Sequence, residues 1–182
     1  MTSQRLSREV LLPRLAEHVL AHGLGQASLR PLAKAAGTSD RMLIYHFGTK
    51  EALITELLGH ITGVYSAILD GVMADNRPAT RNEVLMRILA QNDDPAIAPF
   101  MMLWWEIVAG AARDLPGFRL AARAMVEQLH AWLEGQMPAG DPDPKGGASY
   151  LLTVIEGTLM LAALDHGDTA REGLLAGGLL QP

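Results

Sequence analysis

Residues 38–50 hold the side chains whose types and spacing best suit a chemical task. Leu43 and Phe47 stand four residues apart, as the inward positions of a two-turn helix do, so that their neighbours face solvent. Hydroxyl, guanidinium and ammonium groups presented in this way suit phosphate oxygens and base edges. We predict that base edges are reached by Asp40, Arg41 and Met42. We predict that phosphates are contacted by Thr38, Ser39, Tyr45, His46 and Lys50.

Two short helices and a glycine turn are predicted to position this segment. Ser28 and Ser39 precede the two helices, and the side-chain oxygen of each can cap a first turn. Gly37 lies between the helices, where a residue with positive φ lets the chain reverse. Such a pair is the sequence form of a helix-turn-helix, whose second helix enters the DNA major groove. The inner face of the first helix is predicted to consist of Leu29, Leu32, Ala33 and Ala36.

The positions of this motif also follow a family pattern, and the shared ones are Leu29, Leu32, Ala33, residues 36–39, Leu43, residues 45–47, residues 49–51 and Leu53. In these positions the segment resembles the DNA-binding segment of TetR-family transcriptional regulators. One position departs from the pattern, because Ile44 stands where the family usually places a tyrosine and Tyr45 follows one place later. The resemblance implies a helical dimer with a small-molecule pocket among its later helices.

The composition limits what else the chain can be. With 182 residues, 49% of them hydrophobic, it can bury a core in one or two domains. Because it has no cysteine, disulfides, thiolate nucleophiles and cysteine-based zinc sites are excluded, which is compatible with a cytoplasmic protein. Arg, Glu or Pro interrupts each apolar run in residues 1–15, so we do not expect a signal peptide.

The charge is unevenly distributed along the chain. Residues 1–50 hold seven Lys or Arg and three Asp or Glu, a net of +4, whereas the remaining residues have a net of −9. A basic module on an acidic body is what phosphate contact at one end requires, since neutralisation depends on local Lys and Arg. Chance clustering on a solvated face is the alternative.

Helical spacing of apolar residues predicts an all-α fold throughout. The first helix is expected over residues 7–22, and Pro13 either kinks it or lies in its first turn. Later helices are predicted over 49–72, 80–91, 96–113 with Asp94 as its cap, 118–137 and 148–166, with a flexible loop over 138–147 and a short helix in 168–182. We predict a helix-turn-helix domain at 1–48 and a ligand-binding and dimerisation domain at 49–182, the helix from 49 being shared.

Methionine and tryptophan are dense between residues 96 and 113. Ordinary core packing is the usual reason for such a stripe, but the resemblance favours a small-molecule pocket here. Glu106, a carboxylate inside the stripe, either meets a polar group of the ligand or makes a structural hydrogen bond. The predicted effector-pocket residues are Ile61, Tyr65, Met86, Met101, Trp104, Trp105, Glu106 and Met125.

The helix over 148–166 is apolar nearly all round, with Glu156 as its one internal charge. Because of this charge and the short apolar run, we expect burial against a second copy of the chain and not a membrane span. The resemblance implies that two helices from each subunit form a four-helix bundle. A dimer also suits DNA, since two short helices can address half-sites about one turn apart.

The sequence therefore predicts a dimeric, cytoplasmic, DNA-binding transcriptional regulator. We expect a repressor that a small apolar or amphipathic effector releases from a palindromic operator. The alternative is a helical small-molecule-binding protein or enzyme whose N-terminal helices are structural. We predict that the chain is not an enzyme and needs no cofactor, because it lacks a phosphate loop, a GxSxG elbow and an HExxH pair. His18 and His22 lack a third ligand nearby in the sequence, so no metal is predicted.

Overall fold

The computed structural model describes residues 7–74 and 76–180, apart from the side chain of Gln26, and the regular elements in these ranges are all helical. The α-helices, numbered α1 to α9 in chain order, are Arg8–His22, Leu29–Ala35, Asp40–Phe47, Lys50–Met73, Arg81–Leu89, Ala98–Ala112, Phe118–Gln136, Pro144–Ala163 and Gly167–Ala176. A 3₁₀ turn, Leu24–Gln26, precedes α2. The all-α prediction is confirmed. Asp75, in the interval between the helices predicted over 49–72 and 80–91, lies outside the described residues.

The helices form two compact units. The first contains the chain up to Tyr65 together with Pro95–Gln128, and the second contains Ser66–Asp94 and the chain from Leu129 onward. The first parts of α4 and α7 therefore belong to the first unit and their later parts to the second. The functional boundary expected between residues 48 and 49 stays a prediction.

The core of the first unit joins α1, α2, α3, α4 and α6. Side chains at helical spacing meet there with almost no exposure, and they include Leu11, Leu15, Val19, Leu32, Leu43, Leu53, Leu57, Leu103 and Ile107. The helix α1 begins at Arg8, so that Pro13 lies inside it and on its exposed side. Of the two possibilities left open by the sequence, the helix thus takes the earlier start.

The start of α6 differs from the prediction. Asp94 does not cap the helix, because turns continue through this segment and α6 begins only at Ala98, with Pro99 in its first turn. Ile97, at the cap position, is 2% exposed. Burial of the Ile97 side chain anchors the turn. Of Pro95 and Pro99, it is Pro99 that lies in the first turn of α6, a position that suits a residue without an N–H.

The segment predicted as a flexible loop, 138–147, is shorter than expected and is tied down. Arg81 donates from Nε and Nη2 to the two carboxylate oxygens of Asp141, both at 2.6 Å, and from Nη2 to the carbonyl of Asp143 at 2.9 Å. Asp143 accepts a hydrogen bond from the amide of Gly146 at 2.9 Å and caps α8, which begins at Pro144. The paired forks of guanidinium and carboxylate fix the turn before α8.

The stability of the fold at acid pH is expected to depend on the ion pair of Arg81 and Asp141. The hydrogen bonds from Arg81 lower the pKa of Asp141 from 3.8 to about 2. Because the folded pKa is below the unfolded one, the carboxylate stabilises the fold above about pH 4, and this contribution is lost as the pH falls toward 2. We expect Asp141→Asn to be less stable than the wild type at pH 7 and to lose less stability between pH 4 and 2. Urea midpoints across this range measure it.

The matched control for this prediction is Glu172→Gln, which removes an exposed carboxylate of α9. Its urea midpoint should fall between pH 4 and 2 as that of the wild type does. An equal loss of stability between pH 4 and 2 in Asp141→Asn and the wild type would contradict the role of the ion pair.

Two helices, α4 and α8, are long and apolar enough to cross a membrane by length and composition alone. The core helices of globular domains meet the same criterion. In α8, Leu151, Ile155 and Leu159 are buried within the chain, while Tyr150 and Met160 remain exposed. One face of α8 is thus core and another is an uncovered apolar surface.

Candidate nucleic-acid interface

The helices α2 and α3 form the predicted pair around Gly37, whose φ is +68°. The turn is closed by the amide of Thr38, which donates to the carbonyl of Ala33 at 2.9 Å. Ser39 caps α3 by accepting from the amide of Met42 at 3.3 Å. Leu43 and Phe47 are buried as predicted. The inner face of α3 is therefore fixed in the core, and its outer face is exposed.

The cap predicted for α2 is wrong in one respect. Ser28 occupies the cap position, but its side chain accepts no hydrogen bond from the helix. A capping oxygen binds an amide of the second or third helical residue, and Pro31, the third residue here, has no N–H. The backbone carbonyl of Ser28 instead accepts from the amide of Leu32 at 3.2 Å.

The predicted DNA contacts are largely on the surface of this pair. Tyr45 is 78% exposed. Thr38 and His46 are only half-buried, and the exposed residues are Ser39, Asp40, Arg41, Met42, Tyr45 and Lys50. The structure thus brings the predicted residues together on α3 and at its two ends, and their roles stay predictions.

His46 does not face solvent as expected. Its Nε2 is buried, and no hydrogen bond reaches it. The end of α3 is held by Arg8, whose Nε donates to the carbonyl of His46 at 2.6 Å and whose guanidinium lies 5.5 Å from the centroid of the Phe47 ring. Nη1 of Arg8 also pairs with Glu56 of α4 at 3.0 Å. Arg8 therefore joins α1 and α4 to the C-terminal end of α3.

The positive charges of this region fall into two groups. Arg8 is engaged as described, and Arg14 donates to the carbonyl of Ala36 at 3.2 Å. Among residues 7–50, the exposed cations that form neither an ion pair nor a side-chain hydrogen bond with the described part of the chain are Arg30, Lys34, Arg41 and Lys50. Sequence reasoning missed Arg30 and Lys34 on α2, although their four-residue spacing puts both on one side of that helix.

The predicted effector-pocket residues divide between the two units. Met86 lies on α5 in the second unit, where it is exposed. In the first unit, Ile61 belongs to the core, and Trp104 and Met125 pack against it. The remaining ones there, all half-buried, are Tyr65, Met101, Trp105 and Glu106. Core packing therefore explains part of the stripe, and a ligand role stays a prediction.

An open apolar groove of about 510 Å³ lies in the first unit between α1, α4 and the chain that enters α6. Its volume is in the range of about 300–1,000 Å³ that small-molecule sites occupy. Of the predicted pocket residues only Ile61 lines it, beside apolar neighbours that include Ala16, Leu20, Val64, Pro99 and Phe100.

Glu106 makes structural hydrogen bonds. Its Oε2 accepts from the amide of Leu24 at 2.8 Å and its Oε1 from the amide of Gly25 at 2.9 Å. Of the two roles left open by the sequence, the structure therefore assigns the carboxylate to the backbone of the 3₁₀ turn.

The paired histidines of α1 stack on each other. The ring centroids of His18 and His22 are 4.5 Å apart. Burial, and secondly the charge of His22, lowers the pKa of His18. Within the described part of the chain, no group of three or more His, Asp or Glu side chains could hold a metal ion.

A family model described as bacterial regulatory proteins of the tetR family matches residues 14–57, which run from α1 into α4. In these residues the chain is similar to that family. The matched segment contains all the predicted DNA contacts.

Individual relatives of this chain are distant. It is 25% identical over 124 residues to the HTH-type transcriptional regulator RutR of Escherichia coli K12, and the alignment covers 67% of the chain but 58% of that relative. A transcriptional regulator from Rhodococcus sp. Rha1 shares the fold with a TM-score of 0.65 and 23% identity, covering 97% of this chain and all of that one. The multidrug binding protein EbrR, solved with proflavin, has a TM-score of 0.65 and 21% identity, and the match covers 95% of this chain and 99% of that one.

Proposed function

We propose that the protein is a DNA-binding transcriptional regulator that reads base edges with the outer face of α3. The observation that carries this proposal is the pairing of a buried inner face, Leu43 and Phe47, with exposed Asp40, Arg41 and Met42 on the same two turns. The cations Arg30 and Lys34 support it, because the first helix of such a pair crosses the DNA backbone. The regulator would act on DNA in the cytoplasm.

The regulator is proposed to act as a homodimer on a palindromic operator. The support is the uncovered apolar surface of α8, where Tyr150 and Met160 are exposed, as is Leu164 directly after the helix. A second copy would bury this surface and would set two reading heads about one DNA turn apart. In this proposal residues 1–48 read DNA and residues 49–182 bind the effector and the partner, with α4 shared.

Repression released by a small apolar or amphipathic effector completes the proposal. The support is the half-buried stripe around Trp104 and Trp105, and the neighbour EbrR, whose structure holds proflavin. Release requires that the effector bind more tightly to the conformation that does not fit the operator, and a difference of about 3–5 kcal/mol would suffice.

Selection from random DNA, followed by gel shifts at moderate salt, tests DNA binding and gives the operator. A saturable shift that resists competitor DNA, with a palindromic consensus, is expected. If no such shift is seen with selected DNA or with the DNA flanking the gene, the regulator proposal fails. The alternative, a helical small-molecule-binding protein or enzyme, would then stand.

Lys50→Ala is expected to weaken binding to all DNA sequences alike. Lys50 is exposed beside the first-turn amides of α4, a position that suits a phosphate. The slope of log K against log salt should fall by about one unit for each half-site. Lys145→Ala, which removes an exposed cation of α8, serves as the control and should leave both quantities unchanged. A changed sequence preference in Lys50→Ala would contradict the phosphate role.

Trp104→Ala is expected to alter the response to an effector while operator affinity stays near normal. The effector can be found as a compound that co-purifies with the chain or releases it from the operator. Binding of that compound to wild type and variant is compared by calorimetry, with thermal unfolding measured beside it. Loss of dimerisation or folding in the variant would show that Trp104 serves the core alone.

A further inference from the structure

The reading head, defined here as α2 and α3, is fastened at its start by a residue of α6. The carboxylate of Glu106 accepts from the amides of Leu24 and Gly25, which lie 82 and 81 positions away in the sequence. We propose that Glu106 is a positioning residue for the reading head, holding the 3₁₀ turn from which α2 starts. This proposal rests on the proposed DNA-binding function and adds to it a contact outside the motif.

The geometry of the turn explains why one carboxylate can have this effect. The last bond of α1 is donated by the amide of Gly23 to the carbonyl of Val19, and the turn itself is closed by the amide of Ala27, which donates to Leu24. Between these bonds, the amides of Leu24 and Gly25 are satisfied by Glu106. Bonds from amides to an ionised carboxylate are about twice as strong as neutral ones. The direction in which the chain leaves α1 is therefore set by α6.

Gly23 leaves space for the carboxylate of Glu106 beside the turn. Its φ is +76°, and a Cβ built on it would lie 2.7 Å from Oε2 of Glu106. A side chain at this position would therefore displace the carboxylate as well as strain the backbone. Glycine at position 23 thus leaves room for the carboxylate in the position that it occupies.

The helix that carries Glu106 is itself firmly placed. Leu103 and Ile107, on either side of Glu106 in α6, are 2% and 0% exposed in the core of the first unit. The carboxylate is thus presented from a fixed position, and the reading head has an anchor at its start in addition to its covalent connection to α4. Displacement of α6 would be passed to α2 through these two bonds.

Glu106→Gln in the full-length protein tests the proposal. Glutamine keeps the shape but replaces one acceptor with an NH₂ group that faces an amide, so that one of the two bonds is lost. We expect amide hydrogen exchange across residues 24–47 to become about tenfold faster, and affinity for selected DNA to fall about tenfold. Exchange in α8 and α9 should be unchanged. The control is Glu83→Gln, which removes a carboxylate that accepts from the amide of Ala79 at 2.8 Å in the second unit.

A second pair of variants breaks the contact from the other side. Gly23→Ala should reproduce the effect of Glu106→Gln on exchange and DNA affinity. Gly117→Ala provides the matched control, since its φ is +82° and nothing lies within 4 Å of the added Cβ. It carries the same backbone strain without touching a carboxylate, so exchange in residues 24–47 should stay at the wild-type rate.

The proposal is overturned if Glu106→Gln and Gly23→Ala change exchange in the reading head no more than their controls do. It is also overturned if exchange rises but affinity for DNA stays at the wild-type value, because Glu106 would then be a local structural contact. If the wild type binds no DNA sequence, the proposed function fails, and the exchange comparison alone decides whether Glu106 holds the reading head.

Discussion

Replacing Arg41 by alanine is expected to lower affinity for the selected operator by about 1–3 kcal/mol for each half-site, and so by roughly twice that for a dimer. Arg41 is exposed in the first turn of α3, and it forms no ion pair within the described residues. A guanidinium in this position is free to donate two parallel hydrogen bonds to a guanine edge. The loss should therefore be accompanied by a relaxed preference at one base pair of each half-site.

Fluorescence anisotropy with the selected operator and with each single base-pair variant measures this effect. Arg171→Ala, which removes an exposed cation of α9, is the control for net charge and should bind as the wild type does. Thermal unfolding of Arg41→Ala should also match the wild type, since no internal contact is lost. An equal loss for every base-pair variant would instead make Arg41 a phosphate contact.

The division of α3 into an inner and an outer face was accessible from the sequence because it depends on local periodicity. Leu43 and Phe47 had to be inward if the segment was helical, and Gly37 and Ser39 are residue types that turns and caps require. The same local reasoning excludes a capping bond from Ser28 to the third helical residue, because Pro31 has no N–H, and leaves only the amide of Arg30 as a donor. Local chemistry thus determined most of the motif.

The contacts that hold the reading head could not be predicted in the same way. Arg8 reaches the carbonyl of His46 across 38 positions, and Glu106 reaches Leu24 across 82. The sequence left open a structural hydrogen bond for Glu106, but its local pattern could not show that the partners are the amides of Leu24 and Gly25. Nothing near Arg8 in the sequence indicates that it reaches α3. The tied turn before α8 has the same origin, because Arg81 and Asp141 are 60 positions apart.

The effector region was the least predictable part for a different reason. A stripe of methionine and tryptophan has the same sequence pattern whether it fills a core or lines a cavity. Here Trp104 and Met125 pack against the core, while the groove beside α1 is lined by Ile61 alone among the predicted residues, together with alanine, leucine, valine, proline and phenylalanine side chains. Only the packing of the helices decides which apolar residues border empty space.

Leu43→Ala is expected to destabilise the reading head strongly. Leu43, at the centre of α3, is 0% exposed and belongs to the core cluster of the first unit. Truncation of a fully buried leucine removes its contacts and leaves a cavity, at a cost of about 2–5 kcal/mol in the free energy of unfolding. Because α3 has only eight residues, DNA affinity should fall with stability.

The neighbouring residue is the matched control, since Ile44→Ala removes a similar number of atoms from a side chain that is 36% exposed. Urea denaturation followed by circular dichroism should give a loss below about 1 kcal/mol for Ile44→Ala, well under that of Leu43→Ala. Similar losses for the two variants would mean that the inward register of α3 is not centred on Leu43. The base-reading positions Asp40, Arg41 and Met42 would then have to be reassigned, because they are defined by that register.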